Sequence, residues 1–322
     1  MPETDAKNSP RGTFLAEVLA NEKLCEEHYV LRLALGRFPP SRPGQFVQVQ
    51  CCRPDAGPRP GAVDWPENRP PKLTQPDLVE AEPLLRRPFS LAGRRDLPGG
   101  RAELEIIYRV VGSGTGWLER AARGQHVSVL GPLGNAFAVR EGKPAAVLVG
   151  GGVGIPPLIY LAEALGARGR RVKAFCGVRS EHLLPLRLTG EAEVSALGSP
   201  SLCVAEFAAH GAEAALATDD GSLGWKGFAP EPFERWLATQ ERPAEELVVY
   251  SCGPEAMMRA VAGICLGRGI ECQLALERHM ACGMGTCQSC VVKTRADSEA
   301  GWHYQLVCTD GPVFDALDVL WD

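Results

Sequence analysis

The alternation of hydrophobic and polar positions changes rhythm once, near residue 141. From Thr13 to about Arg140, short apolar runs are separated by turn residues. Phe46-Val-Gln-Val-Gln50 and Leu104-Glu-Ile-Ile-Tyr108 read as strands, and Asp96-Leu-Pro-Gly-Gly100 as a turn between strands. This rhythm predicts an antiparallel Greek-key β-barrel over 12–140. From Lys143 onward, strand-length apolar runs alternate with helical ones. Val147-Leu-Val149, Val172-Lys-Ala-Phe-Cys176 and Leu247-Val-Val-Tyr250 read as strands. Residues 156–167 and 256–266 read as helices, and Trp117-Leu-Glu-Arg-Ala-Ala122 as a short one. Strands alternating with helices predict a parallel α/β domain over 141–270. A short strand, a cysteine-rich loop and a tail follow, predicting a small third unit over 271–322. The expected class is therefore multi-domain, β followed by α/β. No internal repeat is apparent.

Three stretches do not fit either rhythm. Residues 1–11 are polar and are expected to be disordered. Residues 53–80 carry seven prolines and no periodicity, so they read as an insertion. A surface loop is the plain expectation there, and a lid or partner contact the sharper one. Residues 145–160 contain no charge, yet four glycines and two adjacent prolines argue against a membrane helix.

Composition narrows the class. The 322 residues are 45 % hydrophobic and 23 % charged, with net charge −5, which favours neither nucleic acid nor an anionic membrane. There are twelve cysteines, and the opening Met1-Pro-Glu-Thr-Asp-Ala-Lys7 has no apolar signal core. Eight cysteines are scattered and four are clustered, which suits a reducing, cytoplasmic setting.

The clustered four carry the sharpest chemistry. Met280-Ala-Cys-Gly-Met-Gly-Thr-Cys-Gln-Ser-Cys290 is followed, after seventeen intervening residues, by Cys308. The spacing C-x4-C-x2-C…C is the plant-type ligand pattern of a [2Fe–2S] cluster, and Cys282, Cys287, Cys290 and Cys308 are the candidate ligands. Zinc is the competitor, but structural zinc sites usually pair two C-x2-C motifs and only one is present. His279 is surplus to a four-thiol set.

Upstream lie candidate sites for an electron source. In Arg87-Pro-Phe-Ser90 an Arg can neutralise a phosphate bidentately, an aromatic two residues on shares its strand face, and a hydroxyl can meet a flavin edge. A surface Arg beside a core Phe is the plainer reading of that motif alone. Gly112-Ser-Gly-Thr-Gly116 before a helix suits a pyrophosphate or is simply a turn with an N-cap at Thr115. Gly150-Gly-Gly-Val-Gly154 joins a strand to a helix, as a dinucleotide loop does, although Ile155-Pro-Pro157 departs from G-x-G-x-x-G. Gly150, Gly151, Gly152 and Gly154 are thus candidate NAD(H) contacts. Ser251-Cys-Gly-Pro254 puts Cys252 and Gly253 at a strand's carboxyl end, where a nicotinamide can reach. For Cys252 alone, a buried structural thiol is the plainer reading. Asp219 and Asp220 lean the site toward NAD, and Arg179 and Arg94 would argue for NADP if they lie beside the ribose. No His/Asp/Ser constellation appears, so no catalytic side chain is assigned.

Taken in order, these segments resemble the ferredoxin-reductase superfamily and, more closely, the electron-transfer subunits of class B dihydroorotate dehydrogenases. The carrying segments are Arg87-Pro-Phe-Ser90, Tyr108-Arg-Val-Val-Gly-Ser-Gly-Thr115, Gly131-Pro-Leu-Gly134, Gly150-Gly-Gly-Val-Gly154, Thr218-Asp-Asp-Gly-Ser222, Ser251-Cys-Gly-Pro254 and the stretch from Leu276 to Cys290. The resemblance implies one FAD, held by Arg87, Pro88, Phe89, Ser90, Ile107, Tyr108, Arg109, Gly114 and Thr115. It implies one [2Fe–2S] cluster on the four cysteines. It also implies oxidation of NADH and electron exchange with an FMN-containing dihydroorotate dehydrogenase catalytic subunit in a heterotetramer, serving pyrimidine biosynthesis. No nucleic acid or membrane partner is expected. The alternative is the NAD(P)H-linked subunit of another complex, such as a sulfhydrogenase or ferredoxin–NADP reductase component. A different class again is a zinc-binding interaction protein on a degenerate scaffold. The proline-rich insertion departs from the compact family pattern.

Overall fold

In the computed structural model, residues 11–52, 54 and 85–321 are described; the insertion 53–80 lies outside them apart from Pro54, as do residues 1–10. Strands β1 (Gly12–Cys25) and β2 (His28–Gly36) form a hairpin. They are joined by β3 (Phe46–Val49), β4 (Arg87–Ser90), β5 (Gly93–Leu97), β6 (Arg101–Arg109) and β7 (His126–Leu133). The order is β4-β3-β7-β1-β2-β6-β5, antiparallel throughout. Alternate residues turn inward, as the period of two requires. Val18, Leu31, Leu33, Val47, Val49, Leu104, Ile106, Val127 and Val129 from five strands are all buried in one cluster. A sheet that brings so many strands onto one core must curl around it.

The helix predicted at 117–122 begins earlier. It spans α1 (Ser113–Glu119), because the Thr115 hydroxyl accepts the N–H groups of Val111 (2.9 Å) and Gly112 (3.2 Å). That makes the glycine run the helix's first turn rather than its lead-in.

The second sheet contains β8 (Ala145–Gly151), β9 (Arg171–Val178), β10 (Glu213–Thr218), β11 (Trp225–Lys226), β12 (Leu247–Cys252), β13 (Glu271–Ala275) and β16 (Val313–Asp315). Every residue of β8 and β12 is buried, as expected for central strands covered on both faces. Helix α2 (Pro156–Gly166) packs on one face, and α3 (Pro230–Ala238) and α4 (Glu255–Leu266) on the other. The order is β11-β10-β9-β8-β12-β13-β16. Here the expectation of a parallel sheet is corrected. The sheet is mixed, because β16 runs antiparallel to β13. A chain returning from the cysteine loop caps an edge that would otherwise expose its ladder groups.

Residues after 270 therefore feed two sheets. β13 and β16 complete the second, and β14 (Val291–Arg295), β15 (Trp302–Leu306) and β17 (Val319–Leu320) form a third of order β15-β14-β17.

Polar clamps lock these parts together. The Tyr160 hydroxyl donates to Ser41 O (2.8 Å) and the Tyr250 hydroxyl to Ala138 O (2.9 Å). Asn135 is the most heavily used clamp. Its Nδ2 donates to Asp310 O (2.9 Å) and Val313 O (2.8 Å), and its Oδ1 accepts from Val313 N (2.8 Å). Asn135→Leu should leave these three backbone groups unpaired, at about 1–3 kcal/mol for each that stays dry. The expected result is faster amide exchange across 306–315 with the strands β1 and β2 unaffected. Unchanged exchange there would remove the clamp role. Among the described residues no helix is long and apolar enough to cross a membrane.

Candidate functional site

The register of β3 on β4 fixes which side chains point where. Val49 pairs with Arg87 and Val47 with Phe89, and paired residues share a face. Val47 and Val49 point into the core of the first, curled sheet, so Arg87 and Phe89 emerge on that inner side. Phe89 meets Tyr108 edge-on, with ring centroids 5.8 Å apart. Pro88 and Ser90 turn the other way, beside Gln48 and Phe46.

The arginines differ in how free they are. Arg86 donates to Ser128 O (2.9 Å) and Ser128 Oγ (2.8 Å), so it is tied to β7. Arg109 is paired with Glu27 at 2.6 Å, and Arg94 with Asp96 at 2.8 Å and with the carbonyls of Phe38 and Pro39. Among the described residues Arg87 donates only to main-chain carbonyls, that of Leu85 at 2.7 Å and that of Arg86 at 3.5 Å. Its charge faces no carboxylate among the described residues. Its stem lies against α1, where a Cβ on Gly114 would fall 2.8 Å from Arg87 Nε. Glycine at 114 thus lets helix and arginine meet. Arg87 and Gly114 are 27 positions apart along the chain, and the turn of strands β4 to β6 brings them together. Tyr108 points inward. It is 2 % exposed, and its hydroxyl donates to Asn21 Oδ1 (3.0 Å). Burial raises its pKa above the ordinary phenol value. Ile107 turns the other way, into the core cluster that the second sheet supplies.

In the second sheet the chain moves from β8 through β9 and β10 to β11, then returns to lay β12 on the other side of β8. The carboxyl ends of β8 and β12 therefore frame the switch-point crevice, where open α/β sheets bind ligands. Cys252 pairs directly with Gly150. A Cβ on Gly154 would lie 2.3 Å from Cys252 O and 2.5 Å from Gly253 N. Gly150 and Gly151 are hemmed in as well, by Leu158 and by Pro254. Gly152 differs, with φ 52° and nothing within 4 Å of its Cβ position. Three of the four glycines serve loop packing, and Gly152 alone faces open space. Gly154→Ala is expected to cost about 1–3 kcal/mol by overpacking and to lower the thermal midpoint. An unchanged midpoint would mean the two loops are not in contact. Burial pushes the Cys252 thiol up to about 12, so it is a neutral thiol at the crevice floor. Arg179 follows β9, and Asp220 N donates to Arg179 O (3.3 Å), which sets the acidic pair beside it. Arg94, in β5 of the first sheet, is committed elsewhere.

The four clustered thiols stand as two pairs. Cys282 Sγ accepts from Cys287 N (3.3 Å) and Met284 N (3.5 Å), and Cys290 Sγ accepts from Cys308 N (3.4 Å). The pairs are close enough for Cys308 to feel both Cys290 and Cys282. Ser289 Oγ lies 3.2 Å from Cys287 Sγ. That hydrogen bond, with backbone N–H groups, holds Cys287 down to about 6. Burial and the contact with Cys290 push Cys308 up to about 12. Among the described residues no three His, Cys, Asp or Glu side chains gather tightly enough for a single ion. The loop makes its turns at Gly283 (φ 67°), Gly285 (φ 88°) and Gln288 (φ 55°). Among the described residues the His279 carbonyl accepts from Ser289 Oγ at 3.3 Å.

A profile described as the iron–sulfur cluster binding domain of dihydroorotate dehydrogenase B matches residues 277–320. The dihydroorotate dehydrogenase B (NAD(+)) electron transfer subunit of Bacillus caldolyticus is 39 % identical over 94 % of this chain and 96 % of its own length. The chain belongs to the family of dihydroorotate dehydrogenase B electron transfer subunits. The member from Caldanaerobacter subterraneus subsp. tengcongensis is 30 % identical over 96 % of this chain and 99 % of its own. The fold also matches a solved chain of the NADH-dependent reduced ferredoxin-NADP oxidoreductase, with TM-score 0.68 and 24 % identity over 96 % of this chain and 91 % of that one.

Two residues escaped the reading of the sequence. Asn135 follows the quoted Gly131-Pro-Leu-Gly134, and Gln48 is a polar position inside a predicted strand. Neither has a spacing that signals its distant partner.

Proposed function

We propose that this oxidoreductase subunit passes electrons between NAD(H) and an FMN-containing dihydroorotate dehydrogenase catalytic subunit, by way of FAD and a [2Fe–2S] cluster. The observation that carries this reading is that the cysteine loop lies against β3, the strand that pairs with Arg87–Ser90. The residues suited to a flavin and those suited to a cluster are thereby neighbours.

The groups fit the residues present. Arg87, whose charge faces no carboxylate among the described residues and which has a glycine-lined helix turn beside it, would hold the FAD diphosphate. Phe89 and Ser90 would meet the flavin ring, and the main chain of residues 107–109 and Thr115 would line its site. The barrel closes the flavin's inner side, and the domains fall at about 12–140, 141–270 and 271–322. Gly152 and the crevice floor at Cys252–Gly253 would receive NAD(H), with Gly150, Gly151 and Gly154 shaping the loop. Two thiol pairs suit two tetrahedral irons, Cys282 with Cys287 and Cys290 with Cys308. Bound there, flavin and cluster supply the exchange between a two-electron carrier and a one-electron one. The chain's own residues bind, orient and exclude water.

Anaerobic purification of the complex tests this. Flavin absorbance, two irons per chain and an FMN-bearing dihydroorotate-oxidising partner are expected. A colourless chain with one zinc, or a hydrogenase as the co-purifying partner, would overturn it.

A further inference from the structure

Gln48 lies in the middle of β3 and is fully buried. Neither its Nε2 nor its Oε1 has a hydrogen-bond partner among the described residues. Dry, unpaired amides are rare because each lost hydrogen bond costs folding free energy. The register explains where this amide goes. Val47 and Val49 fill the core of the first sheet, so Gln48 must turn to the outer face. There it stands beside Pro88, its partner on β4. On its other side is the cysteine loop. A Cβ on Gly283 would fall 2.5 Å from Gln48 Nε2 and Cδ and 2.9 Å from Oε1. The amide thus touches the residue next to Cys282 while its backbone is paired with the Arg87–Ser90 strand. Flipping the amide exchanges its two ends, so the NH2 group can face the loop in either setting.

We propose that Gln48 is a positioning residue for electron transfer, whose side-chain NH2 donates a hydrogen bond to the sulfur of the cluster edge held by Cys282. This deepens the function proposed above and rests on it. Hydrogen bonds to cluster sulfurs are one of the protein's levers on reduction potential. A donor stabilises the reduced, more negative cluster and so raises its potential. The step itself is one electron onto the cluster. No proton moves through Gln48, because an amide does not titrate. Gln48 would thereby set how readily the cluster accepts an electron from the flavin side, on the strand that both sites share.

The test uses the full-length holo-complex. Gln48→Met keeps the volume and removes the donor. In a potentiometric titration followed by electron paramagnetic resonance, the cluster's reduction equilibrium should fall about tenfold, ~59 mV for one electron. Iron content and the flavin potential should stay at wild-type values. A wild-type cluster potential in a fully loaded Gln48→Met protein would overturn the proposal. A second measurement does not depend on that variant folding. Protein labelled with 15N only in the glutamine side chain, in a Gln288→Asn background that removes the loop's other labelled amide, should show hyperfine coupling of the reduced cluster to 15N. Absence of that coupling would also overturn it. A wild-type protein that holds no cluster would instead sink the electron-transfer reading itself.

Discussion

Cys287→Ser is expected to abolish the cluster while sparing reduction of a dye by NADH through FAD. Cys287 is the most exposed of the four thiols, and its sulfur lies 3.2 Å from Ser289 Oγ. Losing an outer-shell partner of a metal ligand already costs about 10–100-fold in metal affinity, so losing a ligand should exceed that. The loop itself should persist. Its turns are made by Gly283 and Gly285, and its base is the buried Cys290–Cys308 contact. The check is a pair of readings on one sample. Iron content and the cluster's visible bands should collapse, electron delivery to the catalytic subunit should stop, and dye reduction should remain within about twofold, because the groups that accept hydride lie elsewhere. Loss of dye reduction with FAD still bound would reverse the proposed order of carriers.

Arg87→Ala is expected to weaken FAD binding more than any other single arginine change. Charge-assisted hydrogen bonds contribute about 1.5–3 kcal/mol, or roughly 10–150-fold in affinity. Arg109 and Arg94 already satisfy carboxylates, so their truncation should cost stability before it costs flavin. Arg87→Lys should restore charge without the planar fork and rescue only part of the loss. Flavin retention after gel filtration, titrated against added FAD, measures this. Wild-type retention in Arg87→Ala would transfer the diphosphate to another site.

Much of the molecule is legible from local pattern. The strand at 104–108 lies inside β6, and the strand at 147–149 inside β8, because a period of two or a fully apolar run reflects burial within a few residues. The cysteine spacing is equally local. Where the reading slipped, a distant contact or a side-chain cap was responsible. Helix α1 starts early because Thr115 caps backwards into the glycines. The second sheet is mixed because β16 returns to pair with β13 after the cysteine loop, and no periodicity in Val313–Asp315 announces a direction.

The same division runs through the site. Residue types and their spacing name the chemistry: four thiols at iron–sulfur intervals, glycines between strand and helix, an arginine two residues before an aromatic. These are short-range facts, since donors within a few residues must converge on one group. Which groups are free to act is a long-range fact. Arg87 is available and Arg109 is not because Glu27, on the hairpin turn 82 residues away, folds onto Arg109. Gly152 faces open space while Gly154 is sealed by Cys252. Asn135 grips Val313 across 178 residues, and Gln48 meets the cluster loop only because β3 presents its outer face to Gly283. Pairings of that kind arise when strands and loops distant along the chain are packed against one another, and that packing is absent from any local run of residues.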